Sequence, residues 1–128
     1  MKLLLDTHLL LWAAAGTGLT QKALDRIEDP DAELYFSAAS IWEVAIKSAA
    51  GRPDFAVDAS VFRRALLDSG YDEMPITSAH AAAVSALPPL HRDPFDRIMI
   101  AQASVEGITF LTADRMILQY AGPIESVV

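Results

Sequence analysis

The chain has 128 residues, of which 52% are hydrophobic, and this is enough for a single domain over residues 1–128 with its own core. It has no cysteine, which excludes disulfides and sulfur-ligated zinc sites and suits a reducing cytoplasm. The formal charge of −7 argues against a basic protein that wraps nucleic acid, but not against a metal-dependent enzyme acting on it. Because the sequence shows neither a leader pattern nor an apolar run of membrane-spanning length, we expect a cytoplasmic protein with no membrane partner.

The first half of the chain alternates short apolar strands with helices. The first strand ends at Asp6, Gly16 stops the first helix, and Thr20 caps the second. A strongly apolar third helix closes at Gly51. The predicted elements are a strand over 3–5, helices over 8–15 and 21–28, a strand over 33–37 and a helix over 39–50.

The second half continues the alternation, and Pro88 and Pro89 interrupt it before a helix that begins at Pro94. Its predicted elements are helices over 59–69 and 78–87 on either side of an extended segment over 71–76, then the helix from 94, a strand over 108–111, a short helix after 114 and an edge strand over 124–128. This order predicts an α/β fold in which a parallel sheet is covered on both faces. In such sheets, ligands bind beyond the carboxyl ends of the strands.

Four acidic residues from separate parts of the chain are predicted to meet at that edge of the sheet. Each follows a strand or lies near the start of a helix, and they are Asp6, Glu43, Asp96 and Asp114. Carboxylates brought together repel one another and raise one another's pKa values unless a cation holds them. Hard divalent cations, Mg²⁺ especially, prefer such oxygen ligands. The sequence has no histidine pair at zinc-ligand spacing, so we do not expect zinc.

Each of these acids also has a purely structural interpretation. Asp93 fits the N-cap of the helix that starts at Pro94, and Asp96 falls in its first turn, where a carboxylate is favoured by the helix dipole. Glu43 could close a capping box with Ser40, or it could lie further inside a helix capped by Ser37. Asp6 and Asp114 could likewise cap the helices after them, although four such caps on one edge would be an unusual coincidence.

The histidines and the large aromatic residues give weaker signals. His8, His80 and His91 are far apart in sequence and are expected to be surface or packing residues. His91 is the nearest to the acids and could instead support one of them. The aromatic residues at apolar helical positions are expected in the core rather than as a platform for nucleic-acid bases; they are Trp12, Trp42 and Phe95.

Four segments in this order and spacing resemble a PIN-domain ribonuclease, and more narrowly the VapC-type toxin of a bacterial toxin–antitoxin pair. They are MKLLLDTHLLLWA, SAASIWEVAIK, HRDPFDRIMIAQA and ITFLTAD, and the resemblance covers essentially the whole chain. It implies a three-layer α/β/α fold around a mostly parallel sheet. It also implies an endoribonuclease dependent on Mg²⁺ or Mn²⁺, in which a metal-activated water hydrolyses the RNA phosphodiester. The acids that it carries over as metal ligands and catalytic groups are Asp6, Glu43, Asp96 and Asp114.

The resemblance also implies supporting residues and partners. Thr7, Thr112 and Asp93 belong to its motifs, and we favour capping over metal binding for Asp93. The few basic residues near the acids are candidates for contact with RNA or antitoxin, namely Lys47, Arg92, Arg97 and Arg115, although Lys47 is also placed to pair with Glu43 one turn away. The implied partners are a second copy of the chain and an antitoxin whose C-terminal segment covers the site, often with a basic side chain among the acids.

Three other classes of protein fit the sequence less well. A haloacid-dehalogenase-like phosphatase needs a second Asp two residues after the first, but His8 stands there. A phospho-receiver domain needs an acidic pair at the first strand and a lysine after the last, and the chain has neither. A PIN-like protein-binding module without nuclease activity is the main alternative, and the presence of all four acids disfavours it.

Overall fold

Five parallel strands form the centre of the computed structural model, which describes all 128 residues. They are β1 Lys2–Leu5, β2 Glu33–Ser37, β3 Asp72–Met74, β4 Thr109–Thr112 and β5 Ile124–Ser126, and their order across the sheet is β3-β2-β1-β4-β5. In the central strand, Leu4 pairs with Tyr35 on one side and with Phe110 on the other. Every pairing is parallel, so the predicted α/β class and parallel sheet are confirmed.

Six α-helices connect these strands. They are α1 Thr7–Ala15, α2 Gln21–Ile27, α3 Ala38–Ala49, α4 Ala59–Asp68, α5 Ser78–Ala83 and α6 Pro94–Glu106, with 3-10 turns at Pro53–Phe55, Val84–Ala86 and Ile117–Gln119. A glycine in the left-handed region ends α1 at Gly16, where φ is 74°, and allows the sharp turn toward α2. No helix is both long enough and apolar enough to cross a membrane.

Four predicted elements are clearly shorter than expected, and nearby prolines explain two of them. The helix predicted over 78–87 gives way to a 3-10 turn, and Leu87 is extended because the following Pro88 disfavours helical backbone. The extended segment over 71–76 pairs for three residues only, and Pro75 after it has no N–H to donate. The helix expected after Asp114 is the single 3-10 turn Ile117–Gln119. The edge strand predicted over 124–128 pairs with β4 over 124–126 only.

The sheet carries an apolar core on each face, because successive side chains of a strand point to opposite sides. Leu3 and Leu5 pack on the face covered by α1, α2 and α4, where Leu10 and Phe62 are buried. Leu4 packs on the opposite face, which α6 covers with residues that include the fully buried Met99 and Ile100. The structure therefore has the expected three layers.

The path of the chain through the sheet fixes where a ligand could bind. From β1 the chain moves outward through β2 to β3 at one edge, and it then crosses back to β4 and β5 on the other side of β1. The direction of winding thus reverses between β1 and β4, and the carboxyl ends of strands at such a reversal border a crevice. Asp6 follows β1 and Thr112 ends β4, so both lie at this position.

Candidate metal centre

A polar cleft of about 280 Å³ opens at the carboxyl ends of β1 and β4. No hydrophobic residue lines it; its walls are Asp6, Thr7, His8, Glu43, Lys47, Arg52, His91, Asp93, Asp96 and Asp114. The structure thus brings together the four acids singled out in the sequence, from three separate helices or helix starts and one loop.

Asp6 is held rigidly between the two central strands. It is the N-cap of α1, and its Oδ1 accepts the Leu9 N–H at 3.0 Å, so the capping interpretation is right for this residue. Its Oδ2 accepts a short hydrogen bond from the Thr112 hydroxyl and a longer one, at 3.3 Å, from the Ala113 N–H. Burial raises the pKa of Asp6 above its usual range, although these hydrogen bonds oppose the effect.

Thr112 links Asp6 to the last of the four acids. While its hydroxyl donates to Asp6, its oxygen accepts the backbone N–H of Asp114 at 3.0 Å. The Asp114 side chain accepts the Met116 N–H through Oδ1 at 2.8 Å, and no donor contacts its Oδ2. One fully buried hydroxyl therefore sets the relative position of two carboxylates.

Glu43 lies inside α3, and Ser37 rather than Ser40 is the cap of this helix. The Ser37 hydroxyl oxygen accepts the Ala39 N–H at 3.0 Å, so the capping-box interpretation of Glu43 is wrong. Ser40 instead shares a hydrogen bond with Thr7 at 2.9 Å, and the Thr7 hydroxyl contacts Glu43 Oε1 at 2.6 Å. Thr7 thereby orients a carboxylate that is only 3% exposed.

Lys47 places its ammonium among these carboxylates. Its Nζ forms a short ion pair with Glu43 Oε2 and lies 3.6 Å from Asp93 Oδ2. The same atom lies 4.8 Å from the centre of the Phe55 ring and 5.6 Å from that of Phe95. Burial alone would lower the pKa of Lys47, but the hydrogen bond and charge of Glu43, with the charge of Asp93, raise it above its usual value.

Asp96 is a second carboxylate of the cleft whose pKa is raised. Burial raises its pKa to about 7, and the charges of Asp93, Glu43 and Asp6 add to the effect, whereas a hydrogen bond with His91 opposes it. His91 Nε2 lies 2.7 Å from Asp96 Oδ2, and no donor contacts Asp96 Oδ1. A cation bound beside Asp96 would therefore favour its charged form.

Asp93 caps α6 as expected, with Oδ1 accepting the N–H groups of Phe95 and Asp96 at 2.8 and 3.2 Å. It also contributes more than a cap, because its side chain faces the cleft. Ligand atoms of His91, Asp93 and Asp96 all lie within 4.8 Å of one another, close enough to share one ion. The cap interpretation is thus correct but does not describe the whole environment of Asp93.

The basic residues proposed as contacts for RNA or antitoxin differ in their surroundings. Arg97 is directed into its own protein, where it donates to the carbonyls of Pro88 and Val84 and to the Tyr120 hydroxyl at 2.9 to 3.3 Å. Arg92 and Arg115 are exposed and make no hydrogen bond or ion pair through their side chains. Only these last two are available to a partner as they stand.

Sequence reasoning missed part of the cleft wall. Arg52 and His8 both lie there, and each contacts Asp54 Oδ2 at 3.3 Å. His91 was left open as a group that supports the acids, and it bonds directly to Asp96. The five-residue separation from Asp96 was the available signal, but the proline-broken loop between the two gave no geometry. His80 is a packing residue as expected, because it is 1% exposed.

The expectation that all three large aromatic residues belong to the core is wrong for one of them. Phe95 is buried and Trp12 is half-buried, but the Trp42 side chain is 58% exposed. Its ring packs edge-on against Phe95, with centroids 5.1 Å apart. The helix α3 is apolar around most of its circumference, so its sequence did not indicate which side faces solvent.

The similarity of this chain to known proteins identifies its family. The PIN-domain family model matches residues 3–123, nearly the whole chain. The chain belongs to the PIN-domain family. Members of this family are typically nucleases that use divalent metals. No curated protein sequence matches this PIN domain.

Solved structures with the same fold come from bacterial toxin–antitoxin systems. A chain of VapBC2 from Rickettsia felis bound to a DNA fragment from their promoter is 12% identical, with 98% of each chain covered and a TM-score of 0.73. A toxin–antitoxin complex from Klebsiella pneumoniae gives 18% identity, coverage of 98% and 97%, and a TM-score of 0.68. VapBC-1 from nontypeable Haemophilus influenzae gives 17% identity, coverage of 93% and 91%, and a TM-score of 0.62. These likenesses confirm the PIN-like fold of the whole chain.

Proposed function

We propose that this PIN domain is the endoribonuclease toxin of a VapC-type toxin–antitoxin pair and that it hydrolyses RNA phosphodiester bonds with Mg²⁺ or Mn²⁺. The observation that carries the proposal is the cleft itself, an all-polar depression with Asp6, Glu43, Asp96 and Asp114 on its walls. The family is typically nucleolytic, and the three similar structures come from toxin–antitoxin complexes. Cleavage of cellular RNA would place its work in the cytoplasm.

The donor set of the cleft fits a hard divalent cation. Its carboxylates offer oxygen, and there is no thiolate in the chain, so Mg²⁺ or Mn²⁺ suits it better than a soft metal. Asp96 Oδ1 and Asp114 Oδ2 have no hydrogen-bond donor and are free to ligate. The raised pKa of Asp96 supports the same conclusion, because a bound cation would favour its charged form.

The roles of the residues follow from their contacts. A bound ion would supply positive charge to the scissile phosphate and lower the pKa of a water. Asp6 and Asp114 would hold it from the strand ends, in positions fixed by the Thr112 hydroxyl. Asp96 would hold it from the start of α6, oriented by its hydrogen bond with His91. Thr7 fixes the Glu43 carboxylate beside them.

The partners follow from charge and exposure. A cleft with five carboxylates suits a basic side chain, and we propose that the C-terminal segment of an antitoxin covers it and inserts one. Arg92 and Arg115 are exposed near the cleft and unpaired, so they are the proposed contacts for the RNA backbone. A homodimer is also proposed, on the resemblance alone.

The test is cleavage of total cellular RNA by the purified protein with Mg²⁺, with Mn²⁺ and with EDTA. We expect discrete fragments that require the metal and that disappear in Asp6→Asn and Asp96→Asn. Asp68→Asn is the matched control, because that exposed side chain makes only a 4.0 Å contact with Arg64. Induced expression should arrest growth for wild type and for the control, but not for the two site variants.

A specific result would favour the binding-module alternative instead. Folded wild-type protein that cleaves no RNA under any of these conditions, and whose expression leaves growth unaffected, would contradict the nuclease proposal. Cleavage by Asp96→Asn at the wild-type rate would contradict the assignment of this cleft.

A further inference from the structure

Lys47 occupies an unusual position for a lysine. Its side chain is only 19% exposed, and its ammonium contacts the carboxylates of Glu43 and Asp93 and lies 4.8 and 5.6 Å from the centres of two aromatic rings. Lysines normally keep this group in water, and rings near an ammonium fix it by cation–π attraction. The other permanent cation of the cleft wall, Arg52, is 52% exposed and pairs with Asp54 instead. Lys47 is therefore a built-in cation of the centre.

The carboxylates of the cleft divide into two groups by their contacts with Lys47. Five carboxylates line the cleft, and they are Asp6, Glu43, Asp93, Asp96 and Asp114. The ammonium contacts two of them, Glu43 and Asp93, which leaves three without a permanent cation. The positive charge of Lys47 thus already compensates one side of the cleft.

The hydrogen bonds divide the cleft in the same way. Both carboxylate oxygens of Glu43 are engaged, Oε1 by Thr7 and Oε2 by Lys47. On the other side, Asp96 and Asp114 each keep one carboxylate oxygen without a donor. Both oxygens of Asp6 also accept hydrogen bonds, but only from neutral N–H and hydroxyl groups, so no cation compensates its charge. The carboxylates left for a metal are therefore the three that Lys47 does not contact.

We propose that Lys47 takes the place of a second metal, so that the cleft binds one divalent ion, held by Asp6, Asp96 and Asp114. Glu43 then acts through Lys47, as the carboxylate that holds the ammonium in place. A second ion would need the oxygens of Glu43 and Asp93 and would have to displace the ammonium from its contacts with these two carboxylates and with the nearby rings. The proposal rests on the proposed function only in that the cleft binds a divalent metal, and it makes Lys47 a positioning residue.

The test counts bound Mn²⁺ ions by electron paramagnetic resonance of the free ion, in a titration of the full chain without RNA. We expect one bound ion for wild type and one for Lys47→Arg, which keeps the charge. Lys47→Met keeps the length of the side chain but removes its charge, and we expect it to bind two. Lys22→Met is the matched control, because Lys22 is exposed and forms no ion pair, and it should bind one.

Each outcome bears on the proposal. Two ions or none bound by wild type would overturn it, whether or not the variants fold. One ion bound by a folded Lys47→Met, with unchanged affinity, would overturn it as well, since the charge would then be irrelevant to the count. Because the titration contains no RNA, a protein that binds one Mn²⁺ but cleaves nothing would contradict the proposed function and leave this inference standing.

Discussion

The charge of Asp96 destabilises the metal-free protein, so its removal should make that protein more stable. Burial raises the pKa of Asp96 from 3.8 to about 7, with Asp93, Glu43 and Asp6 adding to the effect. Asp96→Asn keeps the shape of the side chain and an oxygen for the hydrogen bond with His91, but it carries no charge. The charged Asp96 carboxylate, which the proposed function requires, should thus lower the free energy of unfolding when no metal is bound.

The sign and size of this effect follow from the two pKa values. The folded protein holds the proton of Asp96 more tightly than the unfolded chain does. The protonated Asp96 therefore contributes to the free energy of unfolding, and this contribution is fully present below about pH 4. It is lost as the pH rises through about 7. A difference of about three pKa units corresponds to about 4 kcal/mol, and with some relaxation around the charge we expect about 2–4 kcal/mol.

Thermal unfolding in EDTA, followed by circular dichroism at pH 4 and pH 8, measures this difference. At pH 8 we expect Asp96→Asn to unfold about 6–12 °C above wild type, and at pH 4 the two should nearly coincide. Asp68→Asn, on the exposed end of α4, should match wild type at both pH values. An Asp96→Asn protein that unfolds at or below the wild-type temperature at pH 8 would contradict this destabilising role of the Asp96 charge.

Three further outcomes test the same centre. Mg²⁺ at about a hundred times its Kd should stabilise wild type by about 2.7 kcal/mol but leave Asp96→Asn unchanged, and equal stabilisation of both in thermal scans would contradict metal binding here. Thr112→Val should lose about 1–3 kcal/mol in urea unfolding because Asp6 loses a buried donor, and Thr112→Ser should restore most of it. Arg97→Met should cost about 1–3 kcal/mol and lower RNA cleavage, because the loop that carries His91 loses its anchor; an unchanged urea midpoint would refute this.

The central part of the fold could be predicted because its signals are local. The run 3–5 is apolar and ends at a cap, and alternation with helices implies a parallel sheet covered on both faces. The bounds of the peripheral elements were predicted less accurately, because their ends depend on strand pairing and on prolines. The edge strand β3 stops beside Pro75, and α5 gives way to a 3-10 turn before Pro88.

The positions of the acids could be predicted, but their partners could not. The rule that ligands bind at the carboxyl ends of parallel strands placed Asp6 and Asp114 correctly at one edge. The environment of Asp93 depends on how closely α3 approaches α6, which no local pattern specifies. His91 is likewise placed by a distant residue, since its backbone N–H donates to the Tyr120 hydroxyl at 2.9 Å.

The electrostatic repulsion among these carboxylates explains why the cleft lies at the carboxyl ends of the central strands. Charged groups that repel one another favour unfolding, so they need a frame whose own stability does not depend on them. The reversal between β1 and β4 provides it, because these are central strands with fully buried residues such as Leu4 and Phe110. Thr112 hydrogen-bonds to Asp6 directly across that crevice, so the acids are held by the most deeply buried part of the sheet. The fold can therefore keep its carboxylates close together before any metal arrives.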